Sequence, residues 1–161
     1  MGFSMIQSLK DTYEAEFTEI SRMIRSQQID GAVEKACIRY MCIRLTGLIE
    51  QHHKALVLHL CKMKGAPSEA ISYIERNYPR SKGMKPQVCI ELFQSLNEHW
   101  GKSLRDREEM QPDGKWASAI QALYLTRDSQ AHGGRQSIGI IALEAYKRQV
   151  YDYLSFVENF K

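Results

Sequence analysis

The sequence predicts an all-α protein, a single bundle of helices. Three observations predict it. Apolar residues recur at spacings of three and four from one end of the chain to the other, as on the buried face of a helix. Nothing alternates apolar and polar residues with the two-residue period of a half-buried strand. Proline and glycine are sparse, four and ten in 161 residues, and they are scattered, so residues 1–161 read as one helical domain.

The first helix carries Ile6, Leu9, Tyr13, Phe17, Ile20 and Ile24 on one face. Ser4, with Gln7 three residues on, has the form of a capping box that starts it. "QQIDG" interrupts the pattern, and Asp30 is placed to cap a second helix from about 32 to 63, about 45 Å long at ~1.5 Å per residue. Its first half, "AVEKACIRYMCIRLTGLIE", is apolar on several faces, the pattern of a helix at the centre of a bundle. "KGAPSEAISYIERNYP" reads as a turn, a short helix and a stop at Pro79. "RSKGMKP" is a basic loop, after which Pro86 opens the helix of "QVCIELFQSLNEHW". "GKSLRDREEMQPDGK" mixes both signs of charge and reads as a polar connector. Trp116, Ile120, Leu123 and Tyr124 mark the next helix, expected to stop at Gly133 and Gly134. Leu143, Tyr146, Val150, Tyr153, Leu154 and Val157 mark the last.

Composition narrows the function classes. A hydrophobic fraction of 43% and a charged fraction of 25% are those of an ordinary globular protein, and a formal charge of +3 carries no basic tail of the bulk nucleic-acid-binding kind. Cys37, Cys42, Cys61 and Cys89 form no C-x-x-C pair, which argues against a zinc knot or a disulfide scaffold and for reduced thiols in the cytoplasm. The opening residues lack a secretion signal, and Ile6 stands where a myristoylation signal has Ser or Thr. The longest apolar run, "ALVLHLC", is far short of a membrane span, so no membrane partner is expected.

One stretch asks for chemistry: "LTRDSQAHGG", residues 125–134. As a bare pattern an arginine and a histidine five apart mean little, since eleven Arg and five His in 161 residues supply about 0.3 such pairs by chance. Context adds weight. Arg127 continues the apolar seam of 116, 120, 123 and 124, where a guanidinium must snorkel out or find an anion. Asp128 and His132 are four apart and able to share a face. A guanidinium clamps a phosphate and stabilises transition-state charge, and an imidazole titrates near neutral pH as general acid or base. RNA brings its own nucleophile, the 2′-hydroxyl, and no cluster of metal-ligand residues is visible, so no metal or other cofactor is expected. The plainer reading is a histidine near a helix C-terminus and a structurally paired arginine.

"LYLTRDSQAHGG" near the end of a small helical chain resembles the signature of HEPN domains, with Arg127, Asp128, Ala131, His132 and Gly133 matching position by position. "LKDTYEAEFTEI" and "EKACIRYMCIRLTGLIEQ" are similar to the first two helices of the RiboL-PSP type, in which Arg39 and Glu50 take the places of an early arginine and a later glutamate. Residues 65–115 carry no such likeness. The resemblance implies a compact HEPN-like bundle, here of four to six helices. It also implies a homodimer whose two Arg/His sets share a cleft. In activity it implies a metal-independent endoribonuclease, acting as a toxin or in defence against phage, that leaves a 2′,3′-cyclic phosphate and a 5′-hydroxyl. It assigns Arg127 to the scissile phosphate, His132 to proton transfer and Asp128 to orienting His132 or the cleft. An antitoxin or regulatory protein is the further partner it implies. One departure stands out: silenced toxins of the family often carry a tyrosine two residues after the histidine, where this chain has Gly134. Other members keep the fold without catalysis, as binding modules.

Remaining candidates weigh less. Glu50 and Arg39 lie eleven residues apart on one helix face, either as a pair that locks the central helix or with Glu50 positioning Arg127. His52 and His59 share a helix face, but without carboxylates two such histidines are a packing or surface feature rather than a metal site. His99, beside Trp100, reads as a cap or core contact. Arg76, Arg80, Lys82 and Lys85, with Tyr78 among them, form a basic loop that is either solvated or grips RNA by phosphate contact and stacking. Arg135, just past the glycines, is better placed for substrate.

Overall fold

The longest helix of the described residues becomes the axis of the fold. In a computed structural model, residues 2–26, 29–78, 83–110, 115–131 and 138–160 are described, the side chains of 2–5, 130 and 131 excepted. They form α1 (Gly2–Arg25), α2 (Gly31–Met63), α3 (Ser68–Asn77), α4 (Pro86–Leu96), α5 (Glu98–Met110), α6 (Trp116–Ala131) and α7 (Ile140–Val157), with no strand among them. No helix of the described residues is long and apolar enough to cross a membrane.

Asp30 starts α2 as expected, its Oδ1 accepting from the N–H groups of Ala32 at 2.7 Å and Val33 at 3.0 Å. The helix packs against α1, α3, α6 and α7. Ile38, Met41, Cys42, Leu45, Ile49, Leu56 and Leu60 are buried along it, whereas Val33, Tyr40 and Ile43 near its start are exposed. That start is therefore less central than its apolar sequence implies. α1 folds back along α2, pinned by Arg44–Glu16 at 2.9 Å and by the Tyr13 hydroxyl on the carbonyl of Met41. The capping box expected at Ser4 does not start α1. The helix runs through Ser4 to Gly2, and the Gln7 amide donates forward to Asp11 at 2.8 Å instead.

The second departure is α5, in the segment read as a connector. Asn97 leaves the helical region, at φ −162° and ψ 122°, and its side-chain oxygen accepts from the N–H of His99 at 3.0 Å. A new helix starts there and buries Trp100, Gly101 and Leu104 on one stripe, with Glu98, Lys102, Arg105 and Glu109 exposed and Arg107 laid over the Phe156 ring at 4.5 Å. The His99 side chain is exposed; Trp100 is the core residue of that pair. A Cβ at Gly101 would lie 2.5 Å from Cβ of Gln94 and 3.0 Å from its Cα, so α4 and α5 touch through backbone. Gly101→Ala is expected to force the two helices apart and cost about 1–3 kcal/mol, read as a fall in denaturation midpoint.

Aromatic stacking ties the ends of the bundle together. Trp116 of α6 stacks on Tyr153 of α7 with centroids 4.4 Å apart, and Trp100 lies parallel to Phe160 at 5.2 Å. His52 and His53 belong to this core and are fully buried. His53 donates from Nδ1 to the carbonyl of Ile49 at 2.6 Å, which leaves Nε2 to accept from the Tyr153 hydroxyl at 2.6 Å. His52 pairs through Nε2 with Glu158 at 2.7 Å, and Lys10 bonds the same oxygen. Cys42 and Cys89 are buried thiols, Cys37 and Cys61 half-buried ones, all free. Burial pushes Cys42 and Cys89 up to about 12, which keeps them protonated and inert.

Candidate functional site

Arg127 reaches the surface at the C-terminal end of α6, and α2 supplies its partner. Trp116, Ile120, Leu123 and Tyr124 bury the seam of α6 against α2, α4 and α7. One turn beyond Tyr124, the Arg127 guanidinium leaves the core and donates from Nη1 to Oε1 of Glu50 at 2.8 Å. Both side chains stay partly open, at 37% and 27% of their full exposure. Burial works against the charge of Arg127, but the hydrogen bond and charge of Glu50 outweigh it and hold its pKa above the ordinary guanidinium value. The group is a permanent cation, and among the described residues Glu50 takes one of the five N–H donors a guanidinium carries.

Glu50 is held from a second side. The Tyr124 hydroxyl donates to the same Oε1 at 3.0 Å and accepts the backbone N–H of Met84 at 2.8 Å. Burial pushes the Tyr124 hydroxyl above its usual range, so it remains a donor at any working pH. The segment 83–85 thus docks on α6. Gly83 sits at φ +62°, and a Cβ there would meet the Tyr124 ring at 2.7 Å, so backbone conformation and close approach both call for glycine. Lys85 completes the docking with an ion pair to Asp128 Oδ2 at 3.2 Å, both groups nearly half exposed.

Several sequence expectations meet here and others do not. Glu50, Arg127, Asp128 and Lys85 come together. Arg39 does not join them: it is exposed, pairs with nothing among the described residues, and lies about 16 Å along α2 from Glu50 at ~1.5 Å per residue. A locking pair between Arg39 and Glu50 is therefore absent, and Glu50 contacts Arg127 instead. Asp128 takes Lys85 as its described partner. Tyr78 is buried with its hydroxyl toward the sulfur of Met84, so it offers no stacking face to a base. His132, Arg135, Arg80 and Lys82 lie outside the described residues, as do Pro79, Gly133 and Gly134. No group of three or more metal-ligating side chains occurs among the described residues.

Sequence reading named Lys85 but missed Tyr124, and the docking of Gly83 and Met84 on it, as parts of this site. Tyr124 passed as a core aromatic on a seam. The available signal was its hydroxyl, since a tyrosine placed at core spacing needs a hydrogen-bond partner that phenylalanine would not. Comparison of the chain with protein-family models, with curated proteins and with solved structures gave no match.

Proposed function

We propose that this protein is a HEPN-like endoribonuclease that cleaves RNA without a metal, with Arg127 and His132 as its catalytic residues, and that it acts as a toxin or anti-phage effector. The observation that carries this reading is the state of Arg127: oriented by Glu50, permanently charged, and still open to solvent. The R-x-x-x-x-H resemblance supplies the partner imidazole. In the reaction, His132 accepts the proton of the RNA 2′-hydroxyl as its oxygen attacks the adjacent phosphorus. Arg127 stabilises the charge gathering on the phosphoryl oxygens. The 5′-oxygen leaves as the P–O5′ bond breaks and takes the proton back from the His132 imidazolium, which yields a 2′,3′-cyclic phosphate and a 5′-hydroxyl and restores the neutral imidazole. Lys85 adds a phosphate contact when it turns from Asp128, and a second protomer supplies the facing Arg/His set of a shared cleft.

A second reading has a specific observation in its favour. Arg127 already has an ion pair within its own chain, which is what a structural arginine in a non-catalytic module would also show. In that reading the exposed Val33, Tyr40 and Ile43 of α2 belong to a partner-binding face.

Cleavage of end-labelled RNA by the purified protein in EDTA separates the two. The nuclease reading expects cyclic-phosphate ends from the wild type, lost in a folded His132→Ala variant. Equal cutting by both means the activity lies elsewhere, and no cutting of any of several RNAs leaves the binding module.

A further inference from the structure

The site contains one group whose place is explained neither by core packing nor by the arginine–histidine chemistry. Tyr124 lies one turn before Arg127 on the same face of α6, with the guanidinium 5.7 Å from its ring centre. Packing alone would be served by phenylalanine. The hydroxyl has two partners, and both lead into the site. It takes the N–H of Met84, which is fully buried, and gives its own proton to Glu50 Oε1, the oxygen that also receives Arg127. Three donors are thus in line, Met84 N–H to Tyr124 and Tyr124 to Glu50, with Arg127 arriving at the same acceptor. Such chains polarise one another.

The strap on the far side is itself anchored. The Met84 carbonyl accepts from the thiol of Cys89 at 3.2 Å, and its sulfur from the hydroxyl of Tyr78 at 3.8 Å. Gly83 lies so close to the Tyr124 ring that a Cβ there would come within 2.7 Å of it. The next residue, Lys85, meets Asp128, the neighbour of Arg127 in sequence. A single phenol is therefore bonded both to the segment that carries Lys85 and to the carboxylate that pairs with Arg127.

Resting on the nuclease reading above, we propose that Tyr124 is a positioning residue: its hydroxyl joins the 83–85 strap to the Glu50–Arg127 pair and so sets the angle and spacing at which Arg127 and Lys85 meet an RNA phosphate. Without the hydroxyl, Glu50 loses one of the two donors that orient it, and Arg127 swings with it. The strap loses its buried bond to α6 and keeps only the half-exposed Lys85–Asp128 pair, so Lys85 is held less firmly relative to Arg127.

Tyr124→Phe in the full-length protein tests this, because it keeps the ring and removes only the hydroxyl. The expected result has two parts. Steady-state cleavage shows kcat lower by about 10- to 100-fold with KM changed far less, the pattern of a misplaced catalytic group. Nitrogen NMR of the Arg127 guanidinium shows faster rotation than in the wild type. In a Glu50→Gln background the same substitution adds little, since both act through one carboxylate. Wild-type kcat with an unchanged guanidinium signal overturns the proposal. So does a loss of activity that merely tracks the unfolded fraction measured by circular dichroism in the same samples. If the wild type cuts no RNA, the nuclease reading falls by itself. The guanidinium signal then still decides whether Tyr124 holds Arg127: faster rotation in the variant upholds the positioning, and no change overturns it.

Discussion

Arg127→Ala should lower RNA cleavage by about 10²- to 10³-fold, the loss that follows removal of one preorganised donor to transition-state charge. The structure makes the expectation sharper than a generic arginine deletion. Arg127 is the described cation paired with Glu50, so its removal leaves a half-buried carboxylate facing the place where the phosphate would sit. Repulsion then adds to the lost attraction. Arg127→Lys should recover little, because an ammonium on a flexible stem cannot satisfy Glu50 and present a planar fork to phosphate together. Single-turnover cleavage of a labelled RNA, with the melting temperature of each variant as a check on folding, measures both. An Arg127→Lys protein as active as wild type would mean that only charge is needed there. An Arg127→Ala protein as active as wild type would remove Arg127 from catalysis altogether.

Acid should unfold the protein through its buried histidines. His53 is fully enclosed, and burial, reinforced by its neighbour His52, depresses its pKa from 6.5 to about 3. The sign follows from where the proton goes. An unfolded His53 binds a proton near pH 6.5, whereas the folded one resists until about pH 3, so the unfolded state takes up more protons between these values. The contribution is therefore fully present above about pH 6.5 and is lost as pH falls toward 3. Over the whole window the loss reaches up to about 5 kcal/mol, a large part of the ~5–15 kcal/mol that holds a typical domain together. His52 acts in the same direction, its pKa lowered by burial although Glu158 pulls it back up. Burial would raise Glu158, but the bonds from His52 and Lys10 outweigh it and hold its carboxyl below the ordinary 4.5, so its contribution is present above that value and is lost as pH falls below it. Thermal melts across this window should show the midpoint falling steadily from neutral pH downward. His53→Gln should flatten that slope even if it lowers the midpoint at neutral pH, and an unchanged slope would assign the acid sensitivity to other groups.

Much of the bundle was legible because burial has a period. The seams of α1, α2, α6 and α7 repeat every three to four residues, and a chain that must hide them has few alternatives to helices packed side by side. Asp30 and Pro86 were legible for a local reason, since a cap and a proline at a first turn act on the backbone beside them. Where the reading failed, the cause was non-local or quantitative. α5 was hidden because its stripe of Trp100, Gly101 and Leu104 is short and set among charges, and the helix start depends on Asn97 turning the chain. Ser4 offered a cap that the chain passes through.

The candidate site divides along the same line. Sequence by itself determined which chemical groups exist and which share a helix: Arg127 and Asp128 on α6, Glu50 on α2, a basic segment before Pro86. Periodicity even placed Arg127 at the end of a buried seam, where an arginine needs an anion. What only the tertiary structure decided is which anion. Arg39 and Glu50 lie three turns apart on one face of one helix, so the spacing offered them as a pair, yet a rigid helix keeps them about 16 Å apart along its axis. α6 crosses α2 beside Glu50 and brings Arg127 to within 2.8 Å of it. Tyr124 became part of the site only because the 83–85 strap, forty residues upstream, folds against its ring and hydroxyl. Hydrogen bonds depend on distance and angle in space, and a linear spacing encodes those only within one helix. Between helices they are set by how the buried faces pack.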